Sequence, residues 1–229
     1  LAVALLDQPS AEERIPDRLR PGFAPLFTSF TRRRGAEKRN TIRFIDSADY
    51  RHIMAHIEAI SGRDPNTDHP EPDAAKLPIE PLASRVIFKR YRKIIKAGSR
   101  IVASTPDEDL HQLRIECKKL RYALEFFRTL YAAGEMKGLI KQLKTLQDNL
   151  GRFNDLSVQQ DFLHGFLESM DGRKPGAVEL AAATGALISR LQSEHRQVRD
   201  AFVEVFDRFN SPNNHRRYNR LFAGQEYPS

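Results

Sequence analysis

At 229 residues, 40% hydrophobic and 29% charged, the chain has globular composition and can bury one large core or two smaller ones. No run reaches 18 apolar residues, which excludes a membrane-spanning helix, and a single cysteine, Cys117, excludes an intrachain disulfide framework and fits a reducing, cytoplasmic setting. The net charge of +7 equals the excess of Lys and Arg over acids between Ser84 and Tyr122 alone, a concentrated field that attracts polyanions.

The opening run LAVALL reads as the end of a helix. Residues 10–18 open helically after Ser10, with Glu12 and Glu13 in the first turn, until Pro16 and Pro21 interrupt. Between Gly22 and Ile45, Phe23, Leu26, Phe27, Phe30, Ile42 and Phe44 are core candidates. Arg32, Arg33, Arg34, Lys38, Arg39 and Arg43 there form a basic cluster that reads equally as a solvated helix face. Asp46 to Asp49 offer N-caps for a helix from Tyr50 to about Ile60, ended by Ser61 and Gly62. His52 and His56 have the i,i+4 spacing of metal ligands, but no third ligand stands in a defined motif, so no metal or other cofactor is expected.

Pro65, Pro70, Pro72 and Pro78 mark residues 62–80 as a linker between a first part, 1–61, and a second, 81–209. A helix from about 81 to 103 follows. Ile87, Tyr91, Ile94, Ile95 and Val102 take one side; Arg85, Lys89, Arg92, Lys93, Lys96 and Arg100 fall together on the other. Ser104-Thr105-Pro106 reverses the chain, and Asp107, Glu108 and Asp109 suit the next helix N-terminus.

From Leu110 to Phe127 there is no helix breaker. Leu113, Cys117, Leu120, Leu124 and Phe127 make a core stripe, with Phe126 assigned to the same side, and Cys117 reads as a small buried hydrophobe. His111, Arg114, Lys118, Arg121, Tyr122 and Glu125 make a polar wall opposite. A solvated face would mix charges at i,i+4, whereas Arg114, Lys118 and Arg121 stand together with opposite charge only at the far end. A bound anion would offset that repulsion, and the Arg fork suits phosphate oxygens. A short turn makes the 81–103 and 110–127 helices antiparallel, which is expected to set their basic walls side by side in one groove. The helix from Glu135 to Leu150 buries Leu139, Ile140, Leu143, Leu146 and Leu150 and carries Lys137, with Lys141 and Lys144 as a third wall. Gly151 ends it or allows close packing, and an apolar-periodic run continues to Met170. Turns at Asp171-Gly172 and Lys174-Pro175-Gly176 precede a last long helix, 176–209, and residues 210–229 read as an irregular, loosely attached tail. The whole reads as all-α, antiparallel bundles with basic helix faces around a groove or cavity.

His111-x-x-Arg114-x-x-x-Lys118-Lys119-x-Arg121-Tyr122-x-x-Glu125 resembles the signature helix of the CHAD domains, the conserved-histidine α-helical family. Leu146-Gln147, Leu150-Gly151 and Asn154-Asp155 resemble the family's next element, so the likeness covers 110–160. It implies two similar helical halves, each with a basic signature helix and a Gly-x-x-x-Asp-type turn. One such helix is present, and Leu1-Ala2-Val3 with Leu5-Leu6 echoes Leu156-Ser157-Val158, so the first half's helices are expected upstream of Leu1 or lost. The resemblance also implies non-catalytic binding of inorganic polyphosphate, with association at polyphosphate granules. The expected contacts are Arg85, Lys89, Lys93, Lys96, Arg100, His111, Arg114, Lys118, Lys119, Arg121, Tyr122, Lys141 and Lys144, with His111 a binding residue rather than a metal ligand.

Two other classes compete. RNA or DNA could use the same charge, but Tyr122 is the one aromatic assigned to the wall, which leaves phosphate contacts without a base reader. An enzyme acting on phosphates, or an accessory module of one, is the other; neither a Walker loop nor the Glu-x-Glu-x-Lys pattern of triphosphate-tunnel domains occurs, and Asp107 to Asp109 are explained as helix-start charge.

Overall fold

Apolar residues at i, i+3 or i+4, and i+7 recur along most of the chain. The computed structural model, which describes residues 20–62 and 78–224, turns them into α-helices, with no strand among the described residues. The expected helix over 10–18, the opening run, the linker positions 63–77 and the side chains of Phe23 and Phe27 lie outside what is described. The described residues form two units, 20–62 with 161–189, and 78–160 with 190–224. Residues 161–189 thus group with 20–62 and not with 78–160.

The first unit contains α1 (Arg20–Ile45) and α2 (Ala48–Ser61), with residues from the end of α5 (Ala133–Glu168) and the first half of α6 (Ala177–Asp200). Leu26 and Phe30 are buried one turn apart, and Phe30 stacks on Phe162 with ring centroids 4.6 Å apart. Arg33 lies over the same Phe162 ring at 4.8 Å, while Arg32, Arg34, Lys38, Arg39 and Arg43 are exposed. Ile42 and Phe44 are exposed, not core: they stand three turns beyond Phe30, at the α1–α2 turn, where Phe44 meets Tyr50 edge-on. Ser47 caps α2 as expected, its hydroxyl accepting the Tyr50 N–H at 3.1 Å, and the Gly62 N–H closes the other end on Glu58. No α2 residue is buried.

The second unit holds α3 (Ile79–Gly98), α4 (Asp107–Phe126), a 3₁₀ turn (Arg128–Leu130), α5 to residue 160, α6 from residue 190, α7 (Phe202–Phe209) and α8 (Pro212–Phe222). Ile87, Tyr91 and Ile94 of α3 meet Leu113, Cys117, Leu120 and Leu124 of α4, Leu139, Leu143, Leu146 and Leu150 of α5, and the α7 and α8 aromatics in one core. Each fully buried Leu, Ile or Phe contributes about 1.5–3 kcal/mol of transfer free energy. α5 and α6 run antiparallel, since Asn149 Nδ2 donates to the Val198 carbonyl and Arg152 pairs with Glu194.

Four expectations need correction. Helix α5 neither ends at Gly151 nor packs closely there, since nothing lies within 4 Å of a Cβ added to it: Leu146, Leu150, Phe153 and Leu156 keep the buried stripe across it, which outweighs a mid-helix glycine's cost of about 0.5–1 kcal/mol. The expected 176–209 helix is two, broken at Ala201. One turn before the break the Val198 carbonyl is engaged by Asn149, and Phe202, Phe206 and Phe209 then begin a new buried stripe. Helix α3 stops at Gly98, so Val102 is exposed, its N–H bonded to Thr105 Oγ1 at 2.9 Å.

The supposed tail is a packed helix. Ser211 caps α8, Pro212 opens it, and Asn214, Tyr218 and Phe222 are buried at i, i+4 and i+8. Tyr218 stacks on Tyr91 with centroids 3.7 Å apart, and Glu135 binds both Arg217 and Arg220. Asn210 Oδ1 can only accept, so His215 Nε2–H donates to it at 2.8 Å, and Nδ1 accepts the Tyr91 hydroxyl at 2.8 Å.

Candidate functional site

Helix α4 has two polar flanks separated by its core stripe. On one, His111, Arg114, Lys118 and Arg121 are half-buried, not exposed as on a solvated face. Among the described residues Arg114 and Lys118 have no carboxylate partner, whereas Arg121 Nε lies 3.6 Å from Glu125 and its guanidinium stands 5.4 Å from the Tyr122 ring. His111 Nδ1 donates to Asn154 Oδ1 at 2.7 Å, which pins this flank to α5. With the proton on Nδ1, Nε2 of the neutral ring offers a lone pair, and only the protonated ring offers a second N–H.

On α5, Gln147 lies within about 20° of Asn154 around the axis. Both of its amide atoms are buried without a protein partner. Lys144 is exposed about 80° from Asn154, and Lys141, also exposed, about 140°. Lys144 therefore borders the His111 flank and Lys141 turns away from it.

The other flank of α4 carries Glu116 and Lys119. Glu116 is about 140–160° around the helix from His111, Arg114, Lys118 and Arg121. Its Oε1 accepts from Lys93 Nζ of α3 and from Lys119 Nζ, each at 2.9 Å, and Arg90 Nη1 lies 3.9 Å from Oε2. Burial pushes the Glu116 pKa up, but the hydrogen bonds and charges of Lys119 and Lys93 outweigh it and hold the carboxyl below its ordinary range. The stability it contributes is therefore present above that range and lost as pH falls through the lowered value. Cys117, beside it, is fully buried, and burial with the Glu116 charge drives its thiol far up, so it is an inert core residue.

This geometry alters the expected groove. Lys93 and Arg90 of α3 reach α4 on the Glu116 flank, so these two cations stand away from the His111 wall. Arg85, Lys89, Lys96 and Arg100 are exposed on or just beyond α3. Phe126, assigned to the core side, is 79% exposed, and Tyr122 one turn earlier is 52% exposed. Helix α4 ends at Phe126, so Phe127, the next residue, packs against the core in its place.

At the start of α4, Asp107 pairs with Arg199, which also donates to the Ala103 carbonyl at 3.1 Å and to that of Thr105. His195 stacks on Phe153 and shares a 2.9 Å hydrogen bond between Nε2 and Ser157 Oγ; Asp107 Oδ2 is 3.6 Å from the same nitrogen. A nucleophile relay needs the acid and the hydroxyl on opposite ring nitrogens, so these three do not make one. Burial lowers the His195 pKa, with Arg199 adding to it and Asp107 opposing. His52 and His56 lie 6.0 Å apart on exposed α2, and among the described residues no group of three or more His, Cys, Asp or Glu could hold a metal ion.

Sequence reasoning missed Glu116 as an organising residue, although its i,i+3 spacing to Lys119 was readable. It also missed Asn154 as the partner of His111, which no local spacing announces across 43 residues. No described helix is long and apolar enough to cross a membrane. The CHAD domain family model matches residues 1–164, a span that includes every expected contact. No curated protein matches the chain.

Proposed function

The chain belongs to the CHAD domain family, and from that premise we propose that it binds inorganic polyphosphate without turning it over, in the cytoplasm and at polyphosphate granules. One observation carries the reading: Arg114 and Lys118 are half-buried on the wall without a carboxylate among the described residues. Cations removed in part from water call for a counter-charge. From His111 to Arg121 the wall spans about 15 Å of helix, so it can meet several successive phosphates of a linear polyanion. Arg114 and Arg121 supply forked donors, Lys118 a point charge, and Lys144 extends the field from α5.

Titration with polyphosphate at increasing salt tests this directly. Affinity should fall steeply, with a slope of about one per phosphate contact, as counterions are released. Salt-independent binding would remove the electrostatic mechanism. His111→Ala should also weaken polyphosphate binding, since the ring stands half-buried on the same flank as Arg114 and Lys118; unchanged affinity in the variant would take His111 out of the site.

Nucleic acid is the second reading, and exposed Tyr122 and Phe126 favour it more than the sequence did. Two aromatics one turn apart beside cations can stack bases. Competition between polyphosphate and single-stranded RNA at equal phosphate concentration separates the readings. Polyphosphate should win, and Phe126→Ala should leave its affinity unchanged; preferential RNA binding lost in Phe126→Ala would reverse the order.

A further inference from the structure

Glu116 differs from the other acids of α4. Asp107, Glu108, Asp109 and Glu125 are exposed, whereas Glu116 is 8% exposed, and its Oε2 is buried without a hydrogen-bond partner. Lys93 and Lys119 come from different helices and converge on its single Oε1 at 2.9 Å each. Their ammonium nitrogens therefore cannot be farther apart than twice that distance. The lysine side chains themselves remain 63% and 46% exposed. An ammonium has three N–H donors, and one from each is spent on Glu116. The remainder stay available on the exposed side, with Arg90 beside them.

We propose that Glu116 is a positioning residue for polyphosphate: it gathers Lys93 and Lys119 into a two-ammonium clamp for phosphate oxygens on the flank of α4 opposite His111. This rests on the polyphosphate reading above. Two like charges on long, flexible stems repel and spread when nothing holds them. A buried carboxylate shared by both sets their spacing and aim, and its burial limits its own repulsion of an arriving anion. Three cations against one acid leave the flank positive. Glu116 contacts lysine, not ligand.

The alternative is that Glu116 is simply a negative charge in a basic field, and the two ideas differ in sign. Glu116→Gln raises the net charge by one, so a charge-only account expects tighter polyphosphate binding. The positioning account expects about tenfold weaker binding, the loss of one charge-assisted contact, and a shallower salt slope. Glu116→Asp keeps the charge and withdraws it by one methylene. It should also weaken binding, where a charge-only account expects no change, and it serves if Glu116→Gln does not fold. Both variants are compared by melting temperature and by polyphosphate titration of the full chain. Wild-type protein that binds while a folded Glu116 variant binds equally or more tightly overturns the positioning role alone. Wild-type protein that binds no polyphosphate overturns the function reading and this inference with it.

Discussion

Leu120→Ala should lower stability by about 2–5 kcal/mol, and Gly98→Ala by about 1–3 kcal/mol or more, both read from urea unfolding midpoints. Leu120 is fully buried on α4 within the core shared by α3, α5, α7 and α8, so truncation leaves a cavity that several helices would have to close. Gly98 fails for the opposite reason. A Cβ there would overlap the Phe206 ring, which is itself buried and stacked on Phe202 with centroids 5.6 Å apart. The ring cannot swing aside without breaking the α7 stripe. Gly151→Ala is the control: nothing lies within 4 Å of the added carbon, and alanine favours a helix, so stability should hold or rise slightly. An unchanged midpoint in Gly98→Ala would mean that α3 and α7 do not pack as described.

Where one side-chain period decides the outcome, the sequence was readable. The α4 stripe of Leu113, Cys117, Leu120 and Leu124 is buried throughout, and α2 starts at its Ser47 cap. Failures came where a local signal had to be weighed against distant packing. Gly151 looks like a stop only until the buried Leu146, Leu150 and Phe153 are counted on both sides of it. The α8 stripe was hidden because one of its three buried positions is Asn214, whose Nδ2 is satisfied by the Phe209 carbonyl at 2.7 Å, and the segment around it is mostly polar. Angles around the axis place the basic residues on helix faces, but an angle does not say which neighbour a face meets. That is why Lys119 belongs with Lys93 and Glu116, and His111 with Asn154, instead of all lying along one groove.

Arg114→Ala combined with Lys118→Ala should cost about 100-fold or more in polyphosphate affinity, the loss of two charge-assisted contacts, while the unfolding midpoint stays near that of the parent. Neither residue has a carboxylate partner among the described residues, so no salt bridge is broken. Alanine is the stronger helix former, and removing like charges at i,i+4 relieves repulsion. Against that stands the loss of the half-buried aliphatic stems, a packing cost that both substitutions share. The comparison with Leu120→Ala is what gives the experiment its force. One variant removes core and should lose stability while its polar flanks are untouched; the other removes wall and should lose binding while the core is untouched. A double variant that unfolds like Leu120→Ala would show the wall to be structural, and one that binds polyphosphate as the parent does would move the site off this flank of α4.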